Sequence, residues 1–174
     1  GIQVNFAPDI DVNSNSSNPV IGNRAYGEDP ELVARKGIMY AKGMESGKVL
    51  PVSKHFPGHG DTSTDSHHTL PVINHNRERL NEVEIAPFKK YIDAQLASVM
   101  TGHLYVPALD QAKGPASLSQ KIVTGLLKDE LGFTGLVFTD GLAMKGVSIE
   151  DNHCVSALLA GNAILLCPIS PVTP

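Results

Sequence analysis

Tryptophan is absent from the sequence, Phe and Tyr bring the aromatic share to only 5%, and two cysteines are present. Cys154 and Cys167 have neither the number nor the spacing of a disulfide framework or a zinc site, and their apolar surroundings predict buried packing residues. No basic run occurs: 14 Lys and Arg face 18 Asp and Glu, for a formal charge of −4. A nucleic-acid binder concentrates Lys and Arg on one face, so nucleic acid is excluded as a partner. Nor does any apolar run approach the roughly 18 residues that indicate a membrane span. The opening Gly1-Ile2-Gln3-Val4 resembles neither a signal peptide nor a translation start, and the chain is expected to begin inside an element.

What is present is enough apolar material, 41% of 174 residues, for one globular domain. Ile2, Val4 and Phe6 alternate with Gln3 and Asn5 at the period of a strand, and a polar, turn-rich stretch runs from Pro8 to Pro19. Asp29-Pro30-Glu31 supplies an N-cap, a proline at the first helical position and an early acid. Val33, Gly37, Tyr40 and Met44 then share one helical face as far as Gly47. Further strands are predicted at Val49 to Phe56, Ser98 to His103, Gly135 to Thr139 and Ala163 to Cys167. Helical segments are predicted from Arg77 to Gln95, divided near Pro87, from Ser119 to Gly132, and from Val155 to Ala160.

Strands alternating with helices give an α/β chain with a parallel sheet buried on both faces. Five strands are short of the eight strands and roughly 250 residues of a closed (β/α)8 barrel, so a barrel here would be incomplete, with about five βα units and most missing strands on the N-terminal side.

Ionisable residues collect just after the strands: Asn5 to Asp11, Lys54 to His68, His103 and Asp140. In a parallel barrel these positions share the active-site face. The densest group is Lys54-His55-Phe56-Pro57-Gly58-His59-Gly60-Asp61, followed by Asp65-Ser66-His67-His68. Glycine and proline at that density make a loop with special backbone angles, where ionisable groups favour function over packing. The plainer readings are a polar surface loop or a metal site, although no His-x-x-x-His helix or comparable ligand spacing occurs. Asp140 ends an apolar strand and reads equally as a helix N-cap or as a catalytic carboxylate at the strand's mouth. Arg24, just before a helix, pairs with a neighbouring acid or binds a ligand.

Lys-His-Phe-Pro-Gly-His-Gly-Asp with Asp-Ser-His a few residues later closely resembles the signature of family 3 glycoside hydrolases of the β-N-acetylglucosaminidase (β-N-acetylhexosaminidase) type. Other pieces follow in the family's order: Asn5-Phe6-Ala7-Pro8 with Asp11, Asn23-Arg24 with Tyr26-Gly27, Thr101-Gly102-His103, Thr139-Asp140 and Ala160-Gly161-Asn162. The resemblance spans essentially the whole chain. It implies a (β/α)8 TIM-type barrel, of which residues 1–174 would be a single domain, the C-terminal portion of the catalytic barrel. It also implies removal of terminal β-linked N-acetylhexosamine (GlcNAc) with retention of configuration, using no metal and no cofactor. The substrate would be a small carbohydrate such as an N-acetylglucosaminide or a muropeptide-type cell-wall fragment.

By position, Asp140 would be the nucleophile, and Asp65 with His67 the acid/base, replacing the second carboxylate of most retaining glycosidases. A carboxylate two residues away can orient an imidazole and favour its protonated form. A neutral base would also tolerate phosphate as acceptor, which leaves phosphorolysis open beside hydrolysis. Arg24, Lys54, His55 and His103 would be the substrate-binding residues.

Three departures from the family pattern bear on the pocket: Gly141 follows the nucleophile where many relatives have a second Asp, Ala163 stands where Asp often does, and the family's early sugar-binding Asp is absent with the early strands. They motivate one alternative, a catalytically impaired carbohydrate-binding remnant. The other is a family 3 β-glucosidase, against which the Asp65-Ser66-His67 loop speaks. The sequence leaves the compartment open between bacterial cytoplasm and periplasm.

Overall fold

A computed structural model describes residues 1–63, 70–144, 147 and 152–167. Its order is β1 (Val4–Asn5), α1 (Pro30–Ser46), β2 (Leu50–Pro51), β3 (Ser53–Phe56), α2 (Arg77–Arg79), α3 (Ala86–Asp93), β4 (Ser98–Thr101), β5 (Leu136–Gly141), α4 (His153–Ala160) and β6 (Ile164–Leu166), with short 3-10 turns and two π-helical segments between. β1 pairs with β2, and the second sheet runs β3-β4-β5-β6, every pair parallel. Because β2 and β3 are successive stretches of one extended segment, neighbours follow chain order throughout. A doubly wound sheet would reverse that order at a switch point, whereas a (β/α)8 barrel keeps it. The five predicted strands are all present, as an arc of a barrel-type fold.

The strands alternate as a sheet covered on both faces requires. Met100 and Phe138 lie opposite each other in register and pack with Val52 on one face. Val99 and Val137 point the other way, into the main core with Val33 and Ala41 of α1, Phe88 and Tyr91 of α3, and Ile122, Val123, Leu126 and Leu127.

Local chemistry sets the helix ends. Asp29 caps α1 by accepting from the Leu32 amide at 2.7 Å, with Pro30 in the first turn. The buried stripe of α1 is Val33, Ala34, Gly37 and Ala41, whereas Tyr40 is exposed and Met44 half-buried. The expected face is therefore rotated, because small residues let the helix lie close on the chain: a Cβ on Gly37 would stand 2.3 Å from Ile10 Cγ2. The expected division near Pro87 occurs at Ile85, where a π-helical turn, Leu80–Glu84, meets α3. Pro87 lacks an N–H and is tolerated in a first turn. Ser119 Oγ accepts the Ile122 amide at 3.3 Å, just ahead of the π-helical segment Lys121–Glu130. That segment closes in the wider i→i+5 pattern, Leu131 N donating to Leu126 O at 2.9 Å.

The two cysteines are not the buried packing residues expected. Cys154 is half-buried and Cys167 exposed. None of the described helices is long and apolar enough to cross a membrane.

Candidate active site

A cleft of about 190 Å³ opens where the parallel strands end, lined by Arg24, Lys54, His55, His59, Asp140 and Leu166 among others. Each polar group arrives from a strand end or the loop after it: Asp9 and Asp11 after β1, Lys54 and His55 on β3, His59 on the following loop, Asp140 near the end of β5.

Asp11 organises the wall. It is fully buried, and its Oδ1 accepts the His59 amide at 2.6 Å and the His55 amide at 3.2 Å, while Oδ2 lies 2.7 Å from His55 Nδ1. Burial pushes Asp11 above the usual carboxylate range, against which His59 and these N–H donors act. The N–H donors of His55 and His59 favour its ionised form, and the Asp9 carboxyl, itself raised, hydrogen-bonds to it in the same sense. Burial holds His55 down to about 4, so its ring is neutral near pH 7. With Nδ1–H donated to Asp11, Nε2 is left as an acceptor.

The loop carrying His59 is held by close backbone approach. A Cβ on Gly60 would sit 1.7 Å from Val12 O, and Gly58 has φ +133° with the chain of Glu84 against it. Asn18 donates to His59 O at 2.9 Å and Gly60 O at 3.0 Å, and Thr62 Oγ1 lies 2.7 Å from His59 Nδ1. Burial lowers His59 as well. Asp61 pairs with His75, so the segment entering residues 64–69 and the one leaving them are tied. Asp65 and His67, the expected acid/base pair, lie outside the described residues.

Asp9 is pushed up to about 7 by burial and then by the Asp11 charge, and its Oδ2 lies 3.3 Å from Arg24 Nη2. Lys54 is lowered, first by burial and then by Arg24. Asp140 is held below the ordinary carboxylate value. Burial raises it, but His55, His103, the Gly141 amide at 2.7 Å and Lys54 together outweigh that. The Gly141 amide and the Lys54 ammonium favour the ionised form whatever the charge on the two imidazoles. The result is an ionised carboxylate at the mouth of a strand beside a cationic wall.

His103 sits differently from the other expected residues. It is fully buried and stands behind the cleft, with Nδ1 2.7 Å from Ser117 Oγ and Nε2 3.0 Å from Gly141 O. It touches the backbone next to Asp140, and both ring nitrogens are occupied by protein. Asn162, also buried, accepts from Thr101 Oγ1 at 2.9 Å and donates to the Ser117 and Ala157 carbonyls, joining the end of β4 to the 3-10 turn at Ser117 and to α4. The structure thus brings Arg24, Lys54, His55 and Asp140 together at one cleft. It adds Asp9, Asp11 and His59, which sequence reasoning did not assign; the signal for them was their position at strand ends and beside tight glycines.

Asp9, Asp11 and His55 place donor atoms within 4.8 Å of one another, a spacing that could hold a metal ion. The donors do not fit that use well, because both Asp11 oxygens and His55 Nδ1 already bond to one another or to backbone N–H groups. Arg24 and Lys54 add positive charge beside them. The arrangement is a hydrogen-bonded relay.

Comparison with known proteins identifies the family. The chain is 42% identical over 184 aligned residues to Beta-hexosaminidase A of Pseudoalteromonas piscicida, covering 98% of this chain and 31% of that protein. It superposes on a family 3 β-N-acetylglucosaminidase from Paenibacillus sp. FPU-7 with TM-score 0.93 and 46% identity, over 95% of this chain and 32% of that one. It likewise superposes on NagZ from Neisseria gonorrhoeae, solved in complex with N-trifluoroacetyl-D-glucosamine, with TM-score 0.84 and 34% identity, over 97% and 48% of the two chains. The chain therefore spans a third to a half of the length of these relatives. Residues 1–174 match the family described as glycosyl hydrolase family 3 N terminal domain, and the chain belongs to that family.

Proposed function

We propose that this chain carries the nucleophile side of a retaining β-N-acetylhexosaminidase. The observation that carries the reading is Asp140, an ionised carboxylate at the cleft between Lys54, His55 and the strand end that holds it. The Asp140 oxygen attacks the anomeric carbon of a terminal N-acetylhexosamine as the bond to the leaving oxygen breaks, giving a glycosyl-enzyme intermediate. His67, oriented by Asp65, protonates the leaving oxygen and then takes the proton of the water that releases the sugar. Arg24 and Lys54 donate to sugar hydroxyls, and the neutral His55 accepts from one through Nε2. Such contacts can strengthen as oxocarbenium character develops. His103 acts as a positioning residue, bonded to the Gly141 carbonyl beside the nucleophile.

The relatives named β-hexosaminidase support N-acetylhexosamine as the sugar; a cell-wall fragment as its source is part of the same proposal. The mechanism needs no metal. The test is a mechanism-based 2-deoxy-2-fluoro glycosyl trap on the full-length protein, followed by peptide mapping. Label on Asp140 is expected; label on Asp61 or Asp65 overturns the assignment. Turnover of a nitrophenyl N-acetylglucosaminide by the same protein separates the enzyme from a carbohydrate-binding remnant. Adding phosphate to that assay separates hydrolysis from phosphorolysis, since only the latter yields a sugar phosphate.

A further inference from the structure

The chain has two cysteines, and the fold brings them together: Cys154 Sγ and Cys167 Sγ lie 3.0 Å apart, both as free thiols. Cys154 is in the first turn of α4 and half-buried; Cys167 follows β6 and is exposed. The topology explains the meeting. α4 runs back along the sheet, turns through Gly161 at φ +112° and Asn162, and the chain returns along β6 parallel to β5. The start of α4 and the end of β6 therefore lie at the same end of the sheet, the end where Asp140 sits.

Packing alone does not account for the pair. Cys154 contributes to the small apolar cluster beneath α4 with Leu142, Val147 and Ala157, but an exposed Cys167 buries nothing. Two thiols in contact need an approach of about 1 Å to reach the bonded S–S length of about 2.04 Å.

We propose that Cys154 and Cys167 form a redox dithiol that closes to a disulfide by exchange with a low-molecular-weight disulfide, stapling the start of α4 to the end of β6. In the first exchange a thiolate attacks oxidised glutathione; an S–S bond forms to the protein, the glutathione S–S bond breaks, and the departing glutathione thiolate takes up the proton the protein thiol gave up. In the second, the neighbouring cysteine attacks the mixed disulfide, the Cys154–Cys167 bond forms, and a second reduced glutathione leaves. The two protein thiols are oxidised and one glutathione disulfide is reduced to two thiols.

The staple reaches the site through Leu166, the residue before Cys167. Leu166 lines the cleft, its amide donates to Thr139 Oγ1 at 3.0 Å, and its carbonyl accepts from Leu142 N at 2.9 Å. Both partners flank the Asp140-Gly141 pair. Closing the bond fixes this strand end to α4 and restricts one wall of the cleft. The proposal does not depend on the carbohydrate reading, and its test reads thiols and stability instead of turnover.

The reduced full-length protein is incubated with oxidised glutathione, quenched with iodoacetamide, and mapped by mass spectrometry without reduction. The expected product is a cross-linked peptide pair joining Cys154 to Cys167, lighter by two hydrogens than the two thiol peptides and reversed by dithiothreitol. C154S is expected to stop at a glutathione adduct on Cys167. The oxidised parent is expected to melt a few degrees above the reduced one, a shift absent from C154S and C167S. A parent protein that accumulates glutathione on Cys167 with Cys154 still free overturns the proposal, as does failure of either thiol to react. A cross-link that forms without moving the melting temperature overturns the staple.

Discussion

Asp11→Ala tests the centre of the relay. Asp11 accepts the His55 and His59 amides and the His55 ring from a fully buried position. Truncation leaves two backbone N–H groups without their acceptor, and each orphaned buried donor costs about 1–3 kcal/mol. The expected loss is therefore about 2–6 kcal/mol, before any relaxation or water entry. Asp11→Asn separates the two roles of the carboxylate. Its Oδ1 can still take both amides, but its NH₂ now meets His55 Nδ1, which must turn from donor to acceptor. The ring proton moves to Nε2, and the group offered to the cleft changes from acceptor to donor. The charge-assisted bond is lost at a cost of about 1.5–3 kcal/mol. Urea unfolding measures both losses, and nitrogen-15 NMR of the histidine side chains reads the tautomer. An Asp11→Ala protein within about 0.5 kcal/mol of the parent, the range of neutral surface changes, would refute the reasoning, as would an unchanged His55 tautomer in Asp11→Asn.

Three further outcomes are expected. His55 falls from 6.5 to about 4 on folding, so the stability it contributes is full above pH 6.5 and lost as pH falls through about 4; at about 1.36 kcal/mol per pH unit this is at most about 3 kcal/mol. Asp9 rises from 3.8 to about 7 and has the opposite sign, its contribution being lost as pH rises through about 7, so Asp9→Asn should steepen the loss towards acid in urea titrations at several pH values. Gly60→Ala places a Cβ 1.7 Å from Val12 O, and a clash with backbone at that distance should cost about 4 kcal/mol or more and abolish a cooperative melt of the full-length protein; an unchanged melting curve would contradict the contact. If His67 is the proton donor, His67→Ala should lose about 10²- to 10⁴-fold in rate on a poor leaving group and much less on a dinitrophenyl glycoside. Equal slopes of log(kcat/KM) against leaving-group pKa for the two proteins would remove His67 from that role.

Much of this protein is set locally, and the sequence alone determines it. The alternation of short apolar strands with capped helices decided the parallel α/β class, because period and caps act within a few residues. The run from Lys54 to Asp61 marked the loop that carries the site, since glycine and proline declare special backbone angles wherever they occur. Tertiary structure decided what depends on distant segments meeting. The face of α1 was set by how closely Gly37 lies on Ile10, and Tyr40 was left outside. Arg24, Lys54, His55 and Asp140 share a cleft because parallel strands place all their ends on one side. His103 stands behind that cleft, held by Ser117 and Gly141, although its place after a strand matched the others. Asp11 reads in sequence as one more polar residue of a loop, and only its burial beneath two amides and an imidazole makes it the centre of the relay. The two cysteines, 13 positions apart, read as separate packing residues until α4 and β6 fold back on each other, because chain reversal, and no local pattern, brings their sulfurs into contact.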